Sequence, residues 1–146
     1  MLPATRTKNK MAHTVPLSAF ALSIVKAALA DADGSEHLFP SERQDDQPLA
    51  AATVRKAVER LFTNTGDHLT FARFTPHDLR RTVGTGLSRL GVPLETIKRV
   101  LNHKFSDVTS VHYMRHEFEA EKRQALDLWG AHVEKLVASP ALRTKR

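Results

Sequence analysis

Three stretches of this chain carry side chains that together could grip a phosphodiester and attack it. Thr75-Pro76-His77-Asp78-Leu79-Arg80-Arg81 puts an imidazole and a guanidinium three residues apart, just inside a helix start. Leu101-Asn102-His103-Lys104 supplies a second imidazole, and Tyr113 is the one tyrosine in the chain. An arginine suits phosphate because its planar fork donates two parallel hydrogen bonds to non-bridging oxygens. A histidine can donate a hydrogen bond or move a proton near neutral pH. A phenol, with an ordinary pKa of roughly 10, becomes a nucleophile only when cations stabilise the phenolate or a base takes its proton. Arg6, Lys8 and Lys10 gather near the N-terminus, where a loop lysine could reach a groove or protonate a leaving alkoxide. Taken singly, each has a plainer reading: a surface arginine, a helix-capping histidine, a half-buried tyrosine, a solvated lysine.

The elements that must position these groups read as mostly helical. Thr5 to Lys10 and His13 to Leu17 form a short antiparallel hairpin in this reading. Ser18 is an N-cap for a helix over Ala19 to Ala30, with Phe20, Ile24, Ala27 and Ala28 on its apolar face. Asp31 to Ser35 ends it, His37 to Pro40 is extended, and Ser41 to Pro48 is an exposed loop. A helix over about 51–62 presents Val54, Ala57, Val58 and Leu61. Thr75 then caps a helix that has Pro76 at its first position, where a fixed φ and a missing N–H cost nothing. Asp78 falls in its first turn, where the dipole favours a carboxylate. Leu79, Val83, Leu87 and Leu90 form its apolar stripe, and Gly91 stops it. His77 and Arg80 share one face of that helix, because residues three apart are neighbours. A short helix from Pro93 to about Leu101 turns Leu94, Ile97, Val100 and Leu101 inward and leaves His103 just past its negative end. A last helix over about 117–137 carries Phe118, Ala125, Leu128, Trp129, His132, Val133 and Leu136.

The 146 residues suffice for one domain with a modest core. No long uncharged apolar run spans a membrane, and no apolar stretch follows the basic start in the manner of a signal peptide. The absence of cysteine excludes disulfides and thiolate metal sites. Eight histidines raise the question of a metal, but none shows a helical ligand spacing such as H-E-x-x-H; no metal and no cofactor are expected. The formal charge is +6, and the surplus is uneven: 61–115 holds 8 Lys/Arg against 4 Asp/Glu, whereas 1–60 holds 8 against 7. The positive excess coincides with the His/Arg/Tyr segment, which suits a polyanion that gains counterion release at each neutralised phosphate.

In ordered spacing, these residues resemble the catalytic domain of tyrosine recombinases, the phage-integrase type. The likeness runs from about Thr5 to Leu136. It is carried by Arg6-Thr7-Lys8-Asn9-Lys10, His13-Thr14-Val15-Pro16-Leu17-Ser18, Leu38-Phe39-Pro40-Ser41, the Thr75–Thr82 run, Leu90-Gly91-Val92, Val100-Leu101-Asn102-His103, Tyr113, and Glu121 to Leu126 with Trp129. It implies a mainly α fold with a small N-terminal antiparallel hairpin or sheet, and double-stranded DNA as partner. Tyr113 would attack the scissile phosphate to form a 3′-phosphotyrosyl link. Arg80 would clamp the non-bridging oxygens, His77 would move a proton, His103 would bond the phosphate and Lys8 would protonate the leaving 5′-oxygen. Arg6, Lys10, Arg81, Lys104 and Arg115 are the further DNA-binding candidates. A cytoplasmic, nucleoid-associated protein of bacterial or phage origin is implied. The last helix would either pack on a second protomer or fold back on its own core.

The likeness departs from the family in three ways. The family places another catalytic arginine on a helix upstream of the hairpin, which Met1 to Thr5 cannot supply, and it has an amino-terminal DNA-clamping domain. Asn102 stands where glycine is more usual. The expectation is therefore a partial catalytic domain over 1–138 with a basic flexible tail over 139–146. Its cleavage would be weak by itself, since one preorganised charge donor contributes about 100- to 1000-fold in rate. A remnant that only binds DNA or another partner is the alternative.

Overall fold

The computed structural model describes residues 1–41, 47–65, 71–103 and 118–139. Among them are five α-helices: α1 (Ala19–Asp31), α2 (Ala51–Thr65), α3 (Pro76–Arg89), α4 (Leu94–Val100) and α5 (Glu119–Ala138). The mainly helical expectation holds, with each helix close to its predicted limits. The chain divides into two units, one of Met1–Leu22 with Gly84–Arg146 and one of Ser23–Val83.

The predicted hairpin does not form, and no sheet occurs among the described residues. Ala4–Arg6 is instead a single 3-10 turn. One antiparallel bridge closes the segment, with Leu2 and His13 exchanging N–H···O bonds of 2.8 and 2.9 Å. Thr5 to Lys10 has no alternating apolar residues with which to bury a strand face. Its side chains also take backbone groups that a ladder would use. The Thr7 hydroxyl bonds Ala4 O at 3.1 Å and Met11 O at 2.7 Å, and Asn9 Oδ1 accepts from Met11 N at 3.2 Å.

In the first unit α4 packs against α5. Leu87 is fully buried, and Ile97 and Ala125 nearly so. Small residues allow close approach: a Cβ on Gly86 would overlap the Trp129 ring, and one on Gly130 would overlap the Ser18 side chain. Ser18 caps α1 as expected, its hydroxyl accepting from Ala21 N at 3.2 Å. Lys122 is buried, and its ammonium donates to Thr14 O at 3.2 Å, joining α5 to the extended segment before α1. Arg99 lies between Glu95, at 3.1 Å, and the Phe118 ring, whose centroid is 3.6 Å from the guanidinium carbon.

Gly86 gives the first expected outcome. At an exposed helical site, Gly→Ala adds about 1 kcal/mol of stability. At Gly86 the new methyl meets an indole backed by His132, with ring centroids 5.6 Å apart, and overpacking of this kind costs about 1–3 kcal/mol. Gly86→Ala should therefore lower the urea midpoint, the opposite sign from an exposed site.

In the second unit, Phe62, Phe71 and Phe74 form a ring cluster with centroids 5.5–6.1 Å apart. It ties the end of α2 to the residues that lead into α3. Several predicted core positions are solvent-facing instead: Ile24, Leu79, Leu94, Leu128 and Leu136 are each at least 43% exposed.

Candidate active site

The His77/Arg80 element is built from its N-terminus. Asp78 reaches back to Thr75, its Oδ2 accepting from Thr75 N at 3.0 Å and from the Thr75 hydroxyl at 2.8 Å. This is the reciprocal half of a capping box: the third helical residue satisfies the N–H of the cap. Thr75 does occupy the cap position, but its hydroxyl donates to Asp78 rather than accepting. Arg81 approaches the other carboxylate oxygen at 3.6 Å. The helix start is thus held while His77 and Arg80, one turn apart, face solvent.

The hydrogen bonds from Thr75, its hydroxyl first and its N–H second, hold the Asp78 carboxyl below its ordinary value, with help from the Arg81 and His77 charges. The sign follows from linkage. A carboxyl with a depressed folded pKa stabilises the fold above its unfolded value of 3.8 and loses that contribution as pH falls through the lower folded value. Asp78→Asn keeps an acceptor but removes the titration. Its melting temperature should lie below wild type near neutral pH, and the gap should close as the solution is acidified below about pH 4.

His103 sits at the end of α4 in a complete Schellman motif. Its N–H bonds Lys98 O at 2.9 Å, Asn102 N bonds Arg99 O at 3.0 Å, and Asn102 takes a left-handed φ of 50°. That backbone explains the residue type: only glycine, or next best asparagine, enters this region cheaply. His103 is exposed immediately after it.

Lys8 lies exposed in the turn between the 3-10 helix and Met11, where Lys10 is also left-handed, at φ 57°. Asn9 Nδ2 donates to Asn102 Oδ1 at 2.7 Å, across 93 residues of sequence. The structure thus brings together His77 with Arg80 in one element, and the Lys8 turn with the His103 turn through their neighbours. Arg6 and Lys10 flank Lys8 and are exposed, as is Arg81 on α3. Tyr113, Lys104, Arg115 and the tail over 140–146 lie outside the described residues. Sequence reasoning passed over Asn9 and Lys122. The signal for Asn9 was available only indirectly, in the unusual asparagine at 102.

A cleft of about 860 Å³ in the second unit, walled by Leu38 to Ser41, the end of α1 and one face of α2, takes none of the predicted site residues. No helix among the described residues is long and apolar enough to cross a membrane.

The family model described as phage integrase matches residues 2–120, which include every predicted catalytic side chain. The chain belongs to the phage integrase family. Among similar proteins is the prophage integrase IntA of Escherichia coli (strain K12), 31% identical over 128 residues that make up 88% of this chain and 29% of that protein. Transposase B from transposon PsiTn554 of Staphylococcus aureus is 33% identical over 110 residues, 70% of this chain and 17% of that protein. Transposase B from Tn554 of Staphylococcus aureus (strain N315) is 30% identical over 113 residues. The chain thus spans less than a third of the length of these integrase-family relatives. No solved structure is significantly similar to it.

Proposed function

We propose that this chain carries the strand-cleaving portion of a site-specific DNA recombinase, acting on cytoplasmic, nucleoid-associated DNA of a bacterium or phage. The observation that carries the reading is the capped α3 start, which presents His77 and Arg80 one turn apart within the region matched by the integrase family. Tyr113, the chain's one tyrosine and inside the same match, is the nucleophile.

In the reaction the Tyr113 phenolic oxygen bonds to phosphorus as the bond from phosphorus to the 5′-oxygen breaks. The product is a 3′-phosphotyrosine and a free 5′-hydroxyl. The phenolic proton passes toward His77, and Lys8 delivers a proton to the leaving oxygen. Arg80 and His103 bond the non-bridging oxygens as charge accumulates there. Attack by a 5′-hydroxyl on the phosphotyrosine reverses the step, so rejoining needs no outside energy source and no metal. Arg6, Lys10, Arg81, Lys104 and Arg115 serve affinity for the surrounding backbone, which weakens with salt. A second copy would find Leu136 and Val137 exposed on α5, at 48% and 57%.

The test is a nicked suicide substrate built from the junction sequences of the mobile element that encodes the protein. A covalent adduct whose peptide map places DNA on residue 113 supports the reading. Salt-sensitive DNA binding with no adduct would show a binding module, and an adduct on another residue would overturn the assignment.

A further inference from the structure

We propose that Asn9 and Asn102 are paired positioning residues that hold the Lys8 turn against the His103 turn while the strand is cut. This rests on the reading of Lys8 and His103 as groups that touch the scissile phosphate. The local bonds of the Lys8 turn shape it but do not attach its tip to the helices: Thr7 bonds Ala4 O and Met11 O, and Leu2 pairs with His13. Among the described residues, the Asn9–Asn102 bond at 2.7 Å ties the tip to the end of α4.

Its direction is set by a second bond. Asn9 Oδ1 accepts from Met11 N at 3.2 Å, which leaves Nδ2 to face Asn102 Oδ1. Both asparagines are half-buried, so water competes weakly for the pair, while Lys8 and His103 beside them are exposed. Asn102 therefore does two things at once. Its backbone supplies the left-handed residue that the Schellman motif needs, and its side chain supplies the acceptor. Glycine could do the first and not the second, which gives the departure from glycine a physical reason. Lys8 and His103 are each one peptide, about 3.8 Å between Cα atoms, from the bonded pair. This hydrogen bond thus links the backbone that carries the proposed proton donor to the backbone that carries the proposed phosphate ligand, and catalysis is sensitive to displacements of about 1 Å.

The experiment is a double-mutant cycle in the full chain: Asn9→Ala, Asn102→Gly and both together. Glycine keeps the left-handed backbone and removes only the amide. Urea stability, DNA affinity and the rate of adduct formation at saturating DNA are measured for each. Each single variant should slow adduct formation about 5- to 10-fold. The double should be no slower than the slower single, and DNA affinity should stay within about twofold. Independent, multiplying effects would overturn the pairing. Singles that cleave at the wild-type rate, or that lose only affinity, would overturn the positioning role. The stability cycle separates the two readings. Coupling in stability with no Tyr113 adduct from the wild type sinks the recombinase reading and the positioning role with it, yet keeps the bond. An adduct without coupling sinks the bond and keeps the recombinase.

Discussion

Arg80→Ala is expected to slow covalent adduct formation by about 100- to 1000-fold while changing DNA affinity little. The asymmetry comes from when the contact matters. On the proposed reading, the scissile phosphate in the bound ground state would be one of many that basic side chains neutralise, and the loss of one contact would change affinity modestly. On the proposed mechanism, charge would concentrate on the non-bridging oxygens facing Arg80 as Tyr113 bonds to phosphorus and the 5′-oxygen leaves. A donor already in place there contributes about 2.7–4 kcal/mol to the transition state alone. Arg80 is in place because α3 is capped at Thr75 by Asp78, with bonds of 3.0 and 2.8 Å. Arg80→Lys, which keeps the charge and loses the fork, should fall between wild type and alanine. Arg81, exposed and 3.6 Å from Asp78, should behave differently: Arg81→Ala weakens binding and flattens its salt dependence without slowing the cut at saturating DNA. Single-turnover rates beside dissociation constants decide the matter; if a loss of affinity explains the whole defect of Arg80→Ala, the arginine serves binding and not catalysis.

Leu87→Ala should destabilise the fold by about 2–5 kcal/mol, a large share of the roughly 5–15 kcal/mol that domains possess. Among the described residues Leu87 is the large side chain with no exposed surface, so truncation removes buried area and leaves a cavity. Its surroundings are poorly placed to collapse into that space. Gly86 beside it is already in contact with the Trp129 ring, and Leu87 O is held by Val92 N at 3.0 Å in the turn that ends α3. The urea midpoint should drop with little change in slope. An unchanged midpoint would mean that the neighbours close the gap.

The local build of the α3 start was legible in the sequence because it depends on residue type and local spacing. His77 and Arg80 three apart, Pro76 after Thr75, and Asp78 in the first turn specify a helix start and what it presents, and the structure builds that start. His103 past the end of α4 was legible for the same reason. Helix limits followed from period and caps, which are local properties. Burial did not. Leu79 and Leu94 fall on the predicted apolar stripes yet are 52% and 66% exposed, because periodicity marks a face without showing that anything covers it. The hairpin was misread for a related reason. Strand pairing is a non-local choice, and the polar side chains of Thr7 and Asn9 claimed the backbone first.

By itself, then, the sequence determined the helices, which arise from patterns within a few residues, and the family, which follows from the order of motifs along the chain. Only the tertiary structure decided that Lys122 would be buried against Thr14 O and that Trp129 would close on Gly86. It also decided that Asn9 would meet Asn102 across 93 residues. Such contacts depend on how distant segments meet, which no local pattern encodes.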